Sequence, residues 1–285
     1  MTKIDQFESV FNSAAKDVFH LHAPTFKKLC IVTDLKGYDH KQFVMQIRSY
    51  LEVLGDMDEL SWLEFDGETS HDLETILKQV EEESPDLICT YRNLHSGAWR
   101  WPYSLGEHLH VLTQATNIPV LVLPRPDQDF PEDLLQSTQT VMAVTDHLSG
   151  DEKLVNYAVH LTAEGGTLHL AHVEPEETFE TYIDLISKIP ALDTDVAREA
   201  LQEQILKQPA DYVESTRQEL EAERVSIEVN PIVALGDPLT TYQFLLEEHN
   251  INLLVLYTKD DNQHAMHNLA YTLAVELRDV PLLML

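Results

Sequence analysis

The chain has 285 residues, 44% of them hydrophobic, and its 49 acidic against 19 basic side chains give a formal net charge of −30. Such a charge repels the phosphate backbone of nucleic acids and the anionic surface of a membrane, so we expect neither as a partner. Both cysteines, Cys30 and Cys89, lie in apolar segments, which favours buried thiols over a disulfide framework. We expect a cytoplasmic protein, because no apolar segment approaches 18 residues and no signal peptide pattern is present.

The first part of the chain alternates amphipathic and short apolar segments. Hydrophobic spacing predicts a helical N-terminal extension over residues 1–24, with the helix itself at 4–20. The same criteria predict strands at 29–33, 60–65, 87–91 and 120–123, and helices at 39–54, 69–83 and 104–116. Residues 125–139, rich in proline and polar side chains, form the predicted linker.

The second part repeats this alternation. We predict strands at 141–145, 168–173, 225–233, 253–257 and 282–285, and helices at 151–163, 238–249 and 264–277. A long acidic helical stretch covers 176–223, with breaks expected near Pro190 and Pro209, and it is interpreted as a cover for the sheet or as a partner or dimer surface. Strands separated by helices predict βαβ units and a parallel sheet.

Three apolar segments occur twice in the same order. Residues 29–34, 86–91 and 118–123 return as 141–146, 252–257 and 280–285. A repeat distance above 100 residues is typical of duplicated domains rather than of a solenoid. We therefore expect domains at 25–124 and 140–285, and the shorter first domain is interpreted as having lost its second βα unit.

The order of these segments resembles the universal stress protein family. The resemblance rests on Asp34 and Asp146 at the ends of the first strands, on the turn Leu235-Gly-Asp-Pro238, and on the closing Val280-Pro-Leu-Leu. It covers roughly residues 29–124 and 140–285. It implies an α/β fold of two tandem domains with open, mainly parallel sheets flanked by helices, of the adenine-nucleotide alpha-hydrolase-like kind. It also implies packing as a pseudo-dimer, with 120–123 paired to 282–285.

ATP-binding members of that family carry a glycine motif after the fourth strand, of the form G-x-x-G, nine residues, then G-[S/T]. Gly97 and Gly106 match two of its glycines with eight residues between them, and Glu107 replaces the Ser or Thr. Residues 257–267 contain no glycine, and Asp260 and Asp261 there would repel phosphates. No cofactor is expected in the second domain, where Asp146 and His172 are interpreted as a remnant site, and ATP or AMP is possible in the first domain only.

The segment 91–108 concentrates basic and aromatic side chains in an otherwise acidic chain. Its arginines suit a phosphate or carboxylate, and its tryptophans suit a flat ring, so a small anionic ligand is one interpretation. The other is a structural cover over the missing βα unit. The candidate ligand-binding residues are Asp34, Arg92, His95, Gly97, Trp99, Arg100 and Gly106.

Histidine and serine spacing does not predict catalysis. No histidine group adds a third ligand at a familiar spacing, so no metal is expected. Ser104 is interpreted as a helix cap rather than a nucleophile. Together with this absence of a catalytic pattern, the resemblance to universal stress proteins implies the leading hypothesis: a non-enzymatic stress-associated ligand-sensing or protein-interaction module, with a protein partner or homodimer possible. The alternative is a nucleotide-binding protein with weak ATPase activity in the first-domain cleft.

Overall fold

The computed structural model describes residues 18–100, 104–126, 135, 137–144, 152–258, 266 and 268–285, without the side chains of residues 99 and 268. The strands are β1 (Lys28–Val32), β2 (Ser61–Phe65), β3 (Leu87–Tyr91), β4 (Val120–Leu123), β5 (Thr140–Val144), β6 (Thr167–Pro175), β7 (Glu228–Gly236), β8 (Leu253–Leu256) and β9 (Leu282–Met284). The helices are α1 (Gly37–Tyr50), α2 (Leu73–Glu83), α3 (Glu107–Ala115), α4 (Glu152–Leu161), α5 (Glu176–Ser187), α6 (Thr194–Ala222), α7 (Pro238–Glu248) and α8 (Asn268–Glu276). Short 3-10 helices cover Glu52–Leu54 and Gly97–Arg100.

These strands form one sheet in the order β2-β1-β3-β4-β9-β8-β5-β6-β7. Neighbours are parallel except at the centre, where β4 and β9 run antiparallel and Leu121 lies opposite Leu283. The predicted α/β fold with a mainly parallel sheet is confirmed, and so is the pairing of 120–123 with the last strand. Inner strands such as β3 and β8 are buried along their whole length because helices cover both faces.

The strand order is mirrored about the β4–β9 pair, except at one edge. β2 lies beside β1 as β6 lies beside β5, but β7 has no counterpart beyond β2. All residues between β1 and β3 are described, and β2 is the one strand among them. The sequence interpretation that the second βα unit is missing is therefore corrected: the strand next to β1 is present, and the third, outer strand is absent.

The N-terminal extension differs from its prediction. Residues 18–24 form no helix, whereas the sequence predicted a helical extension over 1–24; residues 1–17 lie outside the described part of the chain. Phe19 is fully buried, and its backbone N–H donates to the hydroxyl of Ser215 at 2.8 Å. The burial of that ring and the hydrogen bonds to side chains of the second half stabilise a non-helical backbone here, although the hydrophobic spacing of the sequence favours a helix.

Two helix starts also differ. Asp72 caps α2, since its carboxylate accepts the N–H of Glu74 at 3.2 Å, so the helix predicted from residue 69 begins four residues later, at Leu73. The helix expected from residue 104 begins only after Gly106, so Ser104 is not its cap. The Ser104 hydroxyl instead accepts the N–H of Gly106 at 3.0 Å, in the turn before the helix.

The acidic stretch forms a helical hairpin of α5 and α6. Pro190 lies in the connection, as expected, but Pro209 lies inside α6 and does not end it. The second half of α6 packs on the sheet through Tyr212, Val213 and Leu220, which confirms a covering role for that part. Among the described residues, no helix is both long and apolar enough to span a bilayer.

Candidate functional site

Polar side chains meet beyond the carboxyl ends of β1 and β3, the edge where open parallel sheets bind ligands. Asp34 follows β1, and its side chain is only 11% exposed. Its Oδ1 accepts a hydrogen bond from the hydroxyl of Tyr91, the last residue of β3, and its Oδ2 accepts the backbone N–H of His95 at 2.9 Å. Each of its carboxylate oxygens is therefore engaged by the chain itself.

Arg125 completes the set around Asp34. Its Nη2 lies 3.1 Å from Oδ2 of Asp34, and its Nη1 donates to the carbonyl oxygens of Asn93 at 3.1 Å and of Arg92 at 3.4 Å. The guanidinium also lies over the ring of Tyr91, 5.2 Å from its centroid. Sequence reasoning placed this residue in the linker and missed it. Its position directly after β4, whose carboxyl end lies beside that of β3, was the available signal.

The charge of Asp34 follows from these contacts. Burial opposes ionisation, but the hydrogen bonds from Tyr91 and from the N–H of His95, together with the Arg125 charge, outweigh it and lower the pKa of Asp34. Burial and the hydrogen bond to Asp34 raise the pKa of the Tyr91 phenol, which therefore stays protonated as a donor. We infer an ionised carboxylate fixed by one cation and two neutral donors.

A histidine group adjoins this carboxylate. Ser70, which follows β2, is fully buried, and its hydroxyl donates to the carbonyl of Thr33 at 2.7 Å while lying 2.7 Å from Nε2 of His95. Because the serine proton is used, Nε2 of His95 is the donor in the second bond. The His71 ring lies 3.7 Å from the His95 ring, and the His108 ring 5.4 Å from it.

This histidine group is built for hydrogen bonding. Burial, followed by the neighbouring His71, lowers the pKa of His95, so its ring is neutral. His108 Nε2 lies 2.9 Å from the Ser70 carbonyl oxygen. Across the described ranges, no three His, Cys, Asp or Glu side chains are arranged to hold a metal ion. Ser70 is no nucleophile, because its proton is bonded to a carbonyl and its side chain has no access to solvent.

Two glycines are required by close backbone packing at this edge. A Cβ on Gly67 would lie 2.3 Å from the carbonyl oxygen of Asp34, and one on Gly106 would lie 2.6 Å from Cα of Asn93. Gly106 also has a φ of +84°. Gly97 has an ordinary φ and open space at its Cβ position. Of the two glycines matched to the family's ATP-binding motif, Gly106 is thus explained by its contact with Asn93, and Gly97 has no such contact.

Arg92 differs most from its expected role. It was predicted to bind an anion, but its side chain is buried and donates to the carbonyls of Ala274 at 2.7 Å and Leu277 at 2.6 Å, at the end of α8. Burial, with a contribution from Arg278, lowers its pKa to about 10. Such carbonyls carry the negative end of the helix dipole, so the Arg92 side chain connects the end of β3 to the end of α8 and does not face the cleft.

The remaining candidates are divided. Arg100 is exposed at the end of the short 3-10 helix, while the side chain of Trp99 lies outside the described residues. In the second half, His172 is buried with its Nε2 3.4 Å from a carboxylate oxygen of Glu174. Asp146 and the Asp260–Asp261 pair fall outside the described residues. The structure thus places Asp34 and His95 next to each other at the cleft, whereas the side chain of Arg92 lies against the end of α8.

Comparison with known proteins supports the fold of the second half in particular. Residues 137–267 match the model of the Universal stress protein family. A functionally unknown protein from Pseudomonas aeruginosa PAO1 has a TM-score of 0.50 at 12% identity, over 92% of this chain and 93% of that one. No protein of curated function is significantly similar in sequence.

Two further solved structures are similar at lower scores. A universal stress protein from Archaeoglobus fulgidus DSM 4304 has a TM-score of 0.46 at 13% identity, over 90% of this chain and 85% of its own. A putative universal stress protein from Pseudomonas aeruginosa UCBPP-PA14 has a TM-score of 0.49 at 12% identity, over 92% and 94%. The strand order gives the chain an α/β fold with an open, mostly parallel sheet, and the family model places a match to a universal stress protein domain at residues 137–267.

Proposed function

We propose that this chain is a tandem universal stress protein-like module that senses a ligand or binds a protein partner without catalysing a reaction. One observation carries the proposal: the carboxylate of Asp34, the residue that resembles the family's nucleotide-side aspartate, is engaged by Arg125, Tyr91 and the N–H of His95. A nucleotide entering this cleft would have to displace those partners. The two free, buried cysteines agree with a cytoplasmic location.

The proposal includes a duplicated architecture. Its first domain is 25–124, its linker 125–139 and its second domain 140–285. Support comes from the mirrored strand order about the antiparallel β4–β9 pair, since two copies related by a pseudo-twofold axis would meet through identical edges. The family match to 137–267 supports the second copy, and the missing outer strand accounts for the weaker pattern of the first.

A thermal-shift titration of the full chain with ATP and AMP, with and without Mg²⁺, tests the absence of nucleotide binding. A ligand at 100 times its Kd stabilises the folded state by about 2.7 kcal/mol, so binding at micromolar affinity would be plain at millimolar nucleotide. We expect no shift. A saturable shift that Asp34→Asn abolishes would show that nucleotide enters the Asp34 cleft and would overturn the blocking role given to the partners of Asp34. A shift that survives that substitution would place a nucleotide site elsewhere in the chain and would overturn the expected absence of nucleotide binding.

The alternative is a nucleotide-binding protein with weak ATPase activity in the same cleft, and Arg125 favours it. Its guanidinium already pairs with an anionic oxygen at the carboxyl edge of the sheet, and a phosphate oxygen is an acceptor that arginine binds equally well. Phosphate release from MgATP by purified full-length chain measures this activity. Turnover above the no-protein rate that Arg125→Gln removes would support the alternative; turnover unchanged by that substitution would point to a contaminant.

The interaction role rests on the hairpin of α5 and α6. Large apolar side chains are exposed along its free end: Tyr182, Leu185, Ile189, Leu192 and Val196. Exposed apolar clusters of this kind mark partner or dimer surfaces. Light scattering over a range of protein concentrations, with Leu185→Glu as the altered chain, tests the homodimer form of this idea.

A further inference from the structure

A second concave site lies away from the Asp34 cleft. It has a volume of about 380 Å³ and lies where the N-terminal strap, residues 18–26, meets the turn after α1, helix α4 and the segment before β7. Its lining residues are Leu21, Ala23, Val53, Asn156, Val159, His160, Thr162, Glu164, Arg224, Val225, Ser226 and Ile227. The volume is at the lower end of the range for ligand pockets, which suits one small molecule.

Two lining residues of α4, Asn156 and His160, hold the strap in place. Asn156 holds the strap with both ends of its amide, accepting the N–H of His22 at 2.7 Å and donating to the carbonyl of His20 at 3.1 Å. Phe26 stacks on His160 with 15° between the ring planes and 5.8 Å between the centroids. The cavity is therefore a preformed feature between the strap and α4, and a ligand need not order it on binding.

Most of the wall is apolar, and one end carries two opposite charges. The N–H of Gly165 donates to the carbonyl of Ser226 at 2.6 Å, which brings the Glu164 and Arg224 loops side by side. Both side chains are exposed, and within the described part of the chain neither makes a hydrogen bond or ion pair. Burial lowers the pKa of His160, so this ring adds no charge to the cavity.

We propose that this cavity binds a free apolar α-amino acid, with leucine and phenylalanine as the type ligands. The apolar side chain would lie against Val53, Val159 and Ile227, and the zwitterionic end would meet the charged rim. Arg224 would donate to the carboxylate and Glu164 would accept from the ammonium group. An apolar acid alone would leave Glu164 facing its carboxylate, and an amine alone would leave Arg224 unpaired, so the zwitterion fits both charges best.

An arginine at position 224 is also favoured by the end of helix α6, independently of any ligand. It follows the C-terminus of α6, where a cation is stabilised by the helix dipole. Its φ of +58° is in the left-handed region that glycine prefers after a helix. Arg224→Gly therefore suits the backbone while removing the guanidinium, which makes it a binding variant that should still fold.

The first experiment is calorimetric titration of the full chain with L-leucine and L-phenylalanine, beside 4-methylpentanoate, 3-methylbutylamine and L-glutamate. We expect saturable binding of the two apolar amino acids, at least tenfold weaker binding of the acid and of the amine, and none of glutamate. No binding of either amino acid at millimolar concentration would overturn the proposal. Equal binding of the acid or the amine would overturn the assigned ligand class.

Variants then place the ligand. Ala23→Phe fills the cavity from the strap, and Thr25→Phe adds the same ring at an exposed strap position that does not line it. We expect Ala23→Phe and Arg224→Gly to weaken binding at least tenfold and Thr25→Phe to leave it unchanged. Ser226→Phe blocks the other side should Ala23→Phe fail to fold. Binding that survives a folded blocking variant, or that Thr25→Phe weakens equally, would overturn the location.

Discussion

Replacing Arg125 by methionine should destabilise the protein by about 2–4 kcal/mol. The substitution keeps the length of the apolar stem but removes the ion pair to Asp34 at 3.1 Å and the hydrogen bond to the carbonyl of Asn93 at 3.1 Å. Bonds to charged groups contribute about 1.5–3 kcal/mol each, and we count less than their sum because the Arg125 side chain is 22% exposed. At about 2–4 °C per kcal/mol for a large domain, Tm should fall by roughly 4–16 °C.

The assay is urea unfolding of four chains: the wild type, Arg125→Met, Asp34→Asn and the double variant. We expect a coupling energy of about 1–2 kcal/mol, because each single change removes the same ion pair. Arg198→Met is the control, since its partner Glu180 is solvent-exposed and little change is expected. A loss below about 0.5 kcal/mol, or additive effects of the two substitutions, would refute the view that this pair fixes the cleft.

The pH dependence of the same pair has a definite sign. The pKa of Asp34 is lowered in the folded state, so its contribution is fully present above the unfolded value near 3.9 and is lost as pH falls through the folded pKa. The difference between wild type and Arg125→Met should therefore be constant from pH 7 to pH 5 and shrink only in stronger acid. A difference that shrinks around pH 6 would assign the effect to a histidine instead.

Two further outcomes follow from the same geometry. Gly106→Ala should destabilise by more than about 2 kcal/mol, because its Cβ would lie 2.6 Å from Cα of Asn93 at a φ of +84°, whereas Gly97→Ala should be neutral or slightly stabilising in thermal unfolding. Burial, followed by His249, lowers the pKa of His169 to about 4, so stability should fall as pH drops from 6.5 to 4, and His169→Gln should remove up to about 3 kcal/mol of that loss in urea titrations at each pH.

The sequence predicted the inner strands better than it predicted the helix starts and the N-terminal strap. The strands at 87–91 and 120–123 agree residue for residue with the structure, because a strand buried on both faces is apolar throughout and has clear ends. Helix starts agreed less closely, since the helix predicted from residue 69 begins at Leu73 with Asp72 as its cap. The extended strap could not be predicted from spacing, because its partners, such as Asn156, lie over 100 residues away.

The candidate site shows the same division between local and distant information. Asp34 and His95 were placed correctly at the cleft by strand ends alone. Arg125 and Ser70 were missed, because their place beside Asp34 depends on the order of strands in the sheet rather than on any local pattern. Arg92 was misassigned because a pattern of residue types does not tell which way a side chain points, and the carbonyls at the end of α8 bind it instead.

The contacts of Arg92 and Arg125 weaken the expectation that an anionic ligand binds at the carboxyl edge of the sheet. In a chain of net charge −30, a cluster of basic residues suggested an anionic ligand, yet Arg125 pairs with the carboxylate of Asp34 and Arg92 donates to backbone carbonyls at the end of α8. A binding site needs charge that folding leaves uncompensated, because only that charge gains by meeting a ligand. Within the described residues Arg224 meets this criterion beside an apolar cavity, which is why the strap cavity, and not the more basic segment, is where we expect a small zwitterion.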